Sequence, residues 1–227
     1  MGKSPDLVIF DLFDTILDKE WFDYDKVLEH LHDRYFTGFS IEEVNNWAME
    51  FRKLRMMDRN KTHKESSFMD QLAYYEEKSG ISYSDDYKSI EWEIFRKCRG
   101  ECIGNHVADI LSYLKAENHP LAILSNSIFS SDCLNRYLES FDLSSYFDGV
   151  YSSADLGIRK PSSSAFLRVC DEFGAIPEDT WFVGNNKEKD VLGAKNAGLK
   201  AVYYDRIGDG YDGYRVSDLI ELKEIIE

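Results

Sequence analysis

Val8-Ile9-Phe10-Asp11-Leu12-Phe13-Asp14-Thr15-Ile16-Leu17-Asp18, VIFDLFDTILD, opens on an apolar run that starts at Leu7 and stops abruptly at an aspartate. A short run with no polar alternation predicts a strand covered on both faces, as in a parallel sheet. Four later runs share this character, at residues 121–124, 149–151, 180–183 and 201–204. Helical patterns fall between them. Val107, Ile110, Leu111 and Leu114 share a face, as do Leu134, Tyr137, Leu138 and Phe141, and then Phe166, Leu167, Cys170 and Phe173. Gly198 stands where a helix C-cap is expected. Strands alternating with helices predict an α/β chain with a doubly wound, mainly parallel, five-stranded sheet. Such sheets hold ligands at the carboxyl ends of their strands, which is where Asp11 falls.

One segment breaks the alternation. From about Trp21 to Arg99 the sequence reads as helices without a strand. Ser40-Ile41-Glu42-Glu43 has the form of a capping box. Ile41, Val44, Trp47, Phe51 and Leu54 trace one helical face behind it, and Tyr83, Tyr87, Ile90 and Ile94 trace another. The expected organisation is an α/β core over residues 1–18 and 100–227 with a helical cap over residues 19–99. An insert leaving beside the end of the first strand would overhang the ligand site. The basic residues Arg52, Lys53, Arg55, Arg59 and Lys61 read as a solvated helix face. Aromatics such as Trp21, Phe22, Tyr24, Trp47, Tyr74 and Tyr75 read as core or as a cap–core contact.

The bulk composition narrows the function classes. With 227 residues, 43% of them hydrophobic, the chain can bury a sizeable core. Lys and Arg number 27 against 42 Asp and Glu, a net charge of −15. Such a surface repels nucleic-acid phosphates and anionic membranes, so neither is an expected partner. It still admits a small anionic substrate in a locally positive pocket. Cys98, Cys102, Cys133 and Cys170 form no CxxC pair and read as ordinary thiols in a reducing compartment. His30, His32, His63, His106 and His119 are scattered and read as structural or surface residues. The start MGKSPDL reads as a lead-in to a strand, with no signal peptide and a poor myristoylation pattern. A cytoplasmic protein is expected.

Four short stretches fall at strand ends. They are Asp11 with Thr15, then Leu124-Ser125-Asn126-Ser127, then Arg159-Lys160-Pro161, and finally Gly184-Asn185-Asn186-Lys187-Glu188-Lys189-Asp190. Each alone reads as a turn or a cap. Together the chain resembles the haloacid dehalogenase-like (HAD) superfamily of hydrolases, in the branch whose helical cap is inserted after the first core strand. FDLFDTILD is similar to the nucleophile motif, LAILSNS to the second, SADLGIRKPSSSAF to the lysine motif and WFVGNNKEKDVLGAKNAGLKAVYYD to the acidic motif. The resemblance spans essentially the whole chain and implies a Rossmann-like core.

That resemblance implies a mechanism. Asp11 would be the nucleophile of a covalent route. Ser125, the backbone N–H of Asn126 and the Lys160 ammonium would stabilise phosphoryl oxygens, with Thr15 also on the substrate side. Lys160 would also keep Asp11 ionised. Asp11, the Phe13 carbonyl, Asn185 and Asp190 would hold Mg²⁺. The pattern is broken at two places. Phe13 stands where the family's phosphatases carry a second Asp as acid and base, and Asn185 stands where they carry a metal Asp. Asp14 is expected to point elsewhere. A general acid typically contributes ~10²–10⁴-fold, so substrates whose leaving group needs little protonation are favoured.

Three readings remain open on sequence. One is a Mg²⁺-assisted phosphatase on a small phosphorylated metabolite, with an atypical site. Another is a 2-haloacid dehalogenase-type hydrolase, because halide leaves without a proton, although GNNKEKD resembles the phosphatase pattern more. The third is a catalytically impaired protein that binds a phosphorylated ligand or partner.

Overall fold

The computed structural model describes residues 6–226, without the side chains of residues 19–22 and 58. The reading of the N-terminal lead-in rests on residues 1–5 and lies outside the described residues, as do the side chains of Trp21 and Phe22.

In chain order the strands and helices are β1 (Leu7–Phe10), β2 (Leu17–Phe22), α1 (Tyr24–Tyr35), α2 (Ile41–Thr62), α3 (Phe68–Ser79), α4 (Tyr87–Lys97), β3 (Arg99–Ile103), α5 (Val107–Ala116), β4 (Leu121–Ser125), α6 (Ser131–Glu139), β5 (Gly149–Ser152), α7 (Ser153–Leu156), α8 (Ser163–Phe173), β6 (Thr180–Gly184), α9 (Gly193–Asn196), β7 (Lys200–Tyr204) and β8 (Arg215–Val216). A π-helical turn, Lys187–Leu192, leads into α9.

The sheet order is β5-β4-β1-β6-β7-β8, and every pairing in it is parallel. The five strands expected from sequence are all present, and the two-residue β8 adds a sixth. β1 lies between β4 and β6, where the chain changes the direction in which it builds the sheet. The crevice at the carboxyl ends of these three strands is therefore the topological switch point of a doubly wound fold. Alternation along β1 sends Val8 and Phe10 to one face and Leu7 and Ile9 to the other. The first face packs on Ile110, Leu111 and Leu134 of α5 and α6. The second packs on Phe166, Val169 and Ala194 of α8 and α9.

Helices α1–α4 occupy the stretch between β2 and β3. The capping box at Ser40 and Glu43 forms as expected and starts α2. Two details differ from the sequence reading. Residues 17–22 are a strand, paired antiparallel with β3, so the chain enters and leaves the helices through a two-stranded ribbon. The charged Asp18-Lys19-Glu20 hides this strand, because backbone pairing and not burial defines a two-stranded ribbon. Ile41 and Leu54 are also exposed, so the face traced along α2 is buried at Val44 and half-buried at Trp47 and Phe51. The helices share one apolar cluster with a sheet face, joined where Phe129 meets Phe68 at 5.2 Å and Phe95 at 4.7 Å between ring centroids. No helix among the described residues is long and apolar enough to cross a membrane.

Candidate active site

β1 ends at Phe10, and the Asp11 N–H continues its pairing by donating to the Val183 carbonyl at 2.9 Å. This fixes the Asp11 backbone on the end of β6 and turns its side chain into the crevice. From the opposite wall comes Lys160, between α7 and α8. Its Nζ lies 2.6 Å from Asp11 Oδ1 and 2.7 Å from Asp190 Oδ1. The lysine is almost wholly buried, at 1% exposure, so its charge must be met by these carboxylates. Asn126 holds the backbone of the same residue from both sides. It donates to the Lys160 carbonyl and accepts from the Lys160 N–H, each at 2.9 Å.

Asp190 is carried by the π-helical turn, a distortion common at functional sites. Its Oδ2 accepts from the Asn186 N–H at 2.9 Å. Gly184 allows this close packing, since a Cβ there would stand 2.7 Å from the Asp190 side chain. Ser125, the last residue of β4, is buried, and its hydroxyl has no hydrogen-bond partner among the described residues.

These groups line one cavity of about 200 Å³, together with Phe13, Asn185 and Lys189. The structure thus brings together Asp11, Phe13, Ser125, Asn126, Lys160, Asn185 and Asp190. Thr15 is not among the lining residues. It is fully buried, with its hydroxyl unpaired among the described residues. Asp14, expected to point elsewhere, is exposed at the border of the cavity. Its φ of 61° puts it in the left-handed region and so turns it differently from an extended residue.

The electrostatics modify a second expectation. Burial pushes the Asp11 carboxyl up to about 6, against the pull of the Lys160 ammonium and with the repulsion of Asp190. Lys160 therefore only partly offsets the cost of burying this charge. Burial also works against the charge of Lys160. The Asp11 and Asp190 carboxylates outweigh it and hold the ammonium above the usual lysine range.

Phe13 faces two ways. It borders the cavity, yet its ring lies under the Arg99 guanidinium, 4.1 Å from centroid to Cζ. Arg99 opens β3, and its other flank meets Phe95 at 4.3 Å. Its Nε donates to Glu101 at 2.6 Å, and Glu101 in turn accepts from the Tyr137 hydroxyl at 2.6 Å. The ring thus packs on the first residue of the second ribbon strand.

Sequence reasoning missed Lys189, and it missed a second polar cluster beside the cavity. The loop after α2 is stitched to the loop after α7. Glu65 N–H donates to the Gly157 carbonyl at 3.1 Å, and Arg159 N–H donates to the His63 carbonyl at 3.0 Å. This brings the buried side chains of Glu65 and Arg159 together, 3.3 Å apart. The Ser153 hydroxyl also donates to Glu65, at 3.1 Å. Arg55 and Arg59 are half-buried and border the adjoining cavity, whereas Arg52, Lys53 and Lys61 are exposed as expected. The solvated-face reading thus fails for Arg55 and Arg59, which α2 turns towards Glu65. The signal for the pairing was a lone buried Glu and an Arg 94 positions on, which no local pattern joins.

The donor set fits a hard cation modestly. Asp11 and Asp190 supply carboxylates and Asn185 an uncharged amide, all lining the same cavity. Mg²⁺ commonly takes one or two carboxylates and fills its remaining positions with water and substrate oxygens. Among the described residues no group of three His, Cys, Asp or Glu side chains is placed to form a fuller cage.

The architecture and the strand-end cluster have counterparts among known proteins. Residues 5–198 match the family model of haloacid dehalogenase-like hydrolase. The phosphoserine phosphatase of Thermus thermophilus is 30% identical over 179 residues, a match that takes in 79% of this chain and 64% of that relative. The chain thus spans less than two thirds of that relative's length. Among solved structures, a HAD phosphatase from Thermococcus onnurineus superposes with a TM-score of 0.64 at 23% identity, covering 96% of each chain. A 2-haloacid dehalogenase from Pseudomonas syringae pv. Tomato DC3000 gives 0.67 at 19%, again covering 96% of each. These two superpositions bear on the fold alone. A match over most of the sequence, the doubly wound sheet and an aspartate–lysine–aspartate cluster at its switch point lead to one conclusion: the chain belongs to the haloacid dehalogenase-like hydrolases.

Proposed function

We propose that the protein is a Mg²⁺-assisted phosphatase acting on a small phosphorylated metabolite, with Asp11 as nucleophile. The supporting observation is the buried Lys160 ammonium held between Asp11 and Asp190, beside an unspent Ser125 hydroxyl. In this reading Asp11 Oδ attacks phosphorus, the bond to the leaving oxygen breaks, and water then cleaves the aspartyl phosphate. Lys160, Ser125 and the Asn126 N–H donate to the phosphoryl oxygens as charge shifts between them. The Asn126 side chain acts through Lys160, holding the backbone that carries the ammonium. Bound Mg²⁺ would neutralise phosphoryl charge, held by Asp11, the Phe13 carbonyl, Asn185 and Asp190. The phosphoserine phosphatase of Thermus thermophilus favours the phosphatase reading, and its name favours a small phosphorylated substrate.

In the same reading residues 19–99 form a cap that selects the substrate over a core of residues 1–18 and 100–227. The ribbon of β2 and β3 is the connection between them. Thr15, buried under the turn, supports the nucleophile loop rather than touching substrate. Four free cysteines, three of them buried, favour a reducing compartment such as the cytoplasm.

Phe13 favours one alternative, a dehalogenase-type reaction in which Asp11 displaces halide from carbon and no leaving-group acid is required. Parallel assays separate the two. Phosphate release from an aryl phosphate, lost in Asp11→Asn, supports the phosphatase. Halide release from a 2-chlorocarboxylate with no phosphate release supports the dehalogenase. If wild type and Asp11→Asn are equally inert in both assays, a non-catalytic binding protein is the better account.

A further inference from the structure

A second cavity, of about 420 Å³, adjoins the first and shares Phe13, Asp14, Asn126 and Lys189 with it. Arg55 and Arg59 of α2 form one wall, and Arg159 and Glu65 form another. The chain as a whole is strongly acidic, at −15, so a concentration of arginines at this place runs against its composition.

Folding alone does not account for these cations. Arg159 is 4% exposed, yet its Nη1 lies 3.3 Å from Glu65 Oε2 without the alignment of a hydrogen bond, so that N–H stays unspent. The Nε of Arg55 is likewise buried with no hydrogen-bond partner among the described residues. Burial favours loss of charge from Arg55, Glu65 opposes this, and Arg59 adds repulsion. Two carboxylates among the described residues, Glu65 and Asp14, thus line the cavity that Arg55, Arg59 and Arg159 wall. Arg99, also on the wall, is already matched by Glu101. Buried guanidinium donors left unspent beside a reaction cleft are costly unless a ligand completes them.

We propose that this cavity is an anion subsite, in which Arg55, Arg59 and Arg159 hold a second negatively charged group of the substrate while the phosphoryl group sits at Asp11 and Lys160. The assignment rests on the phosphatase reading and narrows it to phosphorylated compounds that carry a carboxylate or a second phosphate. Planar guanidinium forks match both groups. Arg159 immediately precedes Lys160, so a single backbone segment, clamped by Asn126 and by the His63 carbonyl, sets the spacing between the two anion sites. The second charge would thus help to orient the phosphorus for attack.

Calorimetric titration of the full chain with non-hydrolysable probes tests this in the presence of Mg²⁺. Phosphonoacetate, with its carboxylate, should bind about tenfold or more tighter than ethylphosphonate, which has a similar size and no second charge. Methylenebisphosphonate in a third arm distinguishes a phosphate preference from a carboxylate preference, and a gain in either charged arm supports the subsite. The ratio of affinities should collapse towards one in Arg55→Met and in Arg59→Gln, two variants that leave the Glu65–Arg159 pair in place. If ethylphosphonate binds and neither charged probe binds more tightly, the anion subsite is wrong and the phosphatase reading stands. If a ratio persists unchanged in both variants, these arginines are not the recognition residues and the assignment fails. If no probe binds, the subsite and the phosphatase reading fall together.

Discussion

On the proposed reading Phe13 stands where a leaving-group acid would act, and its ring packs on Arg99, which lies between two rings and is held by Glu101. Phe13→Asp restores a carboxyl but gives up the stack, an interaction worth ~0.5–2 kcal/mol. The new carboxyl would also stand near the Arg99 guanidinium, which favours its ionised form and works against its use as an acid. Turnover of an alkyl phosphate should still rise, by up to roughly 10²-fold if the carboxyl reaches the leaving oxygen. An aryl phosphate should gain much less, and steady-state assays of both substrates check the contrast. The site residues at strand ends were legible in the sequence because each follows an apolar run: Asp11 after β1, Ser125 at the end of β4 and Asn185 after β6. The Phe13–Arg99 and Glu65–Arg159 contacts were not. Each joins residues more than 80 positions apart, and neither follows from periodicity.

Two junctions between elements carry the site and its support. At the first, β6 ends in Gly184, and the π-helical turn folds Asp190 back against it. Gly184→Ala would push a methyl group into the Asp190 carboxyl and displace it from Lys160. Overpacking of this kind costs ~1–3 kcal/mol in stability. The displacement should lower turnover by roughly 10²-fold, and comparing kcat with the urea midpoint separates the two effects. At the second junction, Glu91 of α4 is buried and accepts from the Ser130 N–H at 2.7 Å and hydroxyl at 2.6 Å, at the start of α6. Burial raises its carboxyl above the usual value of 4.5. The folded state therefore holds the proton more tightly than the unfolded chain. Its contribution to stability is full below the unfolded value and is lost as pH rises through the raised folded value. Glu91→Gln lacks this dependence, so wild-type stability relative to the variant should decline from about pH 4.5 towards neutrality in urea titrations. At this scale the buried parallel strands were readable as apolar runs. β2 was hidden by its charges, β8 by its length of two residues, and the π-helical turn by the absence of any 3.6-residue repeat.

Across the molecule, an acidic chain gathers its buried cations around one crevice: Lys160 at the switch point, and Arg159 with the half-buried Arg55 and Arg59 next to it. The sheet fixes Asp11 and Ser125 on neighbouring strand ends, the π-helical turn after β6 brings Asp190 to them, and the helices between β2 and β3 supply the outer wall. The same apolar cluster runs from the sheet into those helices, so the crevice is walled by one continuous packing unit. This division between local strands and long-range walls explains why the fold class was readable from local patterns while the shape of the crevice was not. Strand burial is written residue by residue, whereas the cavity walls form only after long-range docking of the loops at residues 63–68 and 157–159. On the proposed reading Asp11 is the nucleophile of a Mg²⁺-assisted phosphatase. The most direct test is phosphate release from an aryl phosphate by wild type and Asp11→Asn, each with Mg²⁺ and with a chelator. Wild type should turn over the ester at a rate that falls on chelation, and Asp11→Asn should show none above background. Equal rates for the two proteins in the presence of Mg²⁺ would contradict this reading.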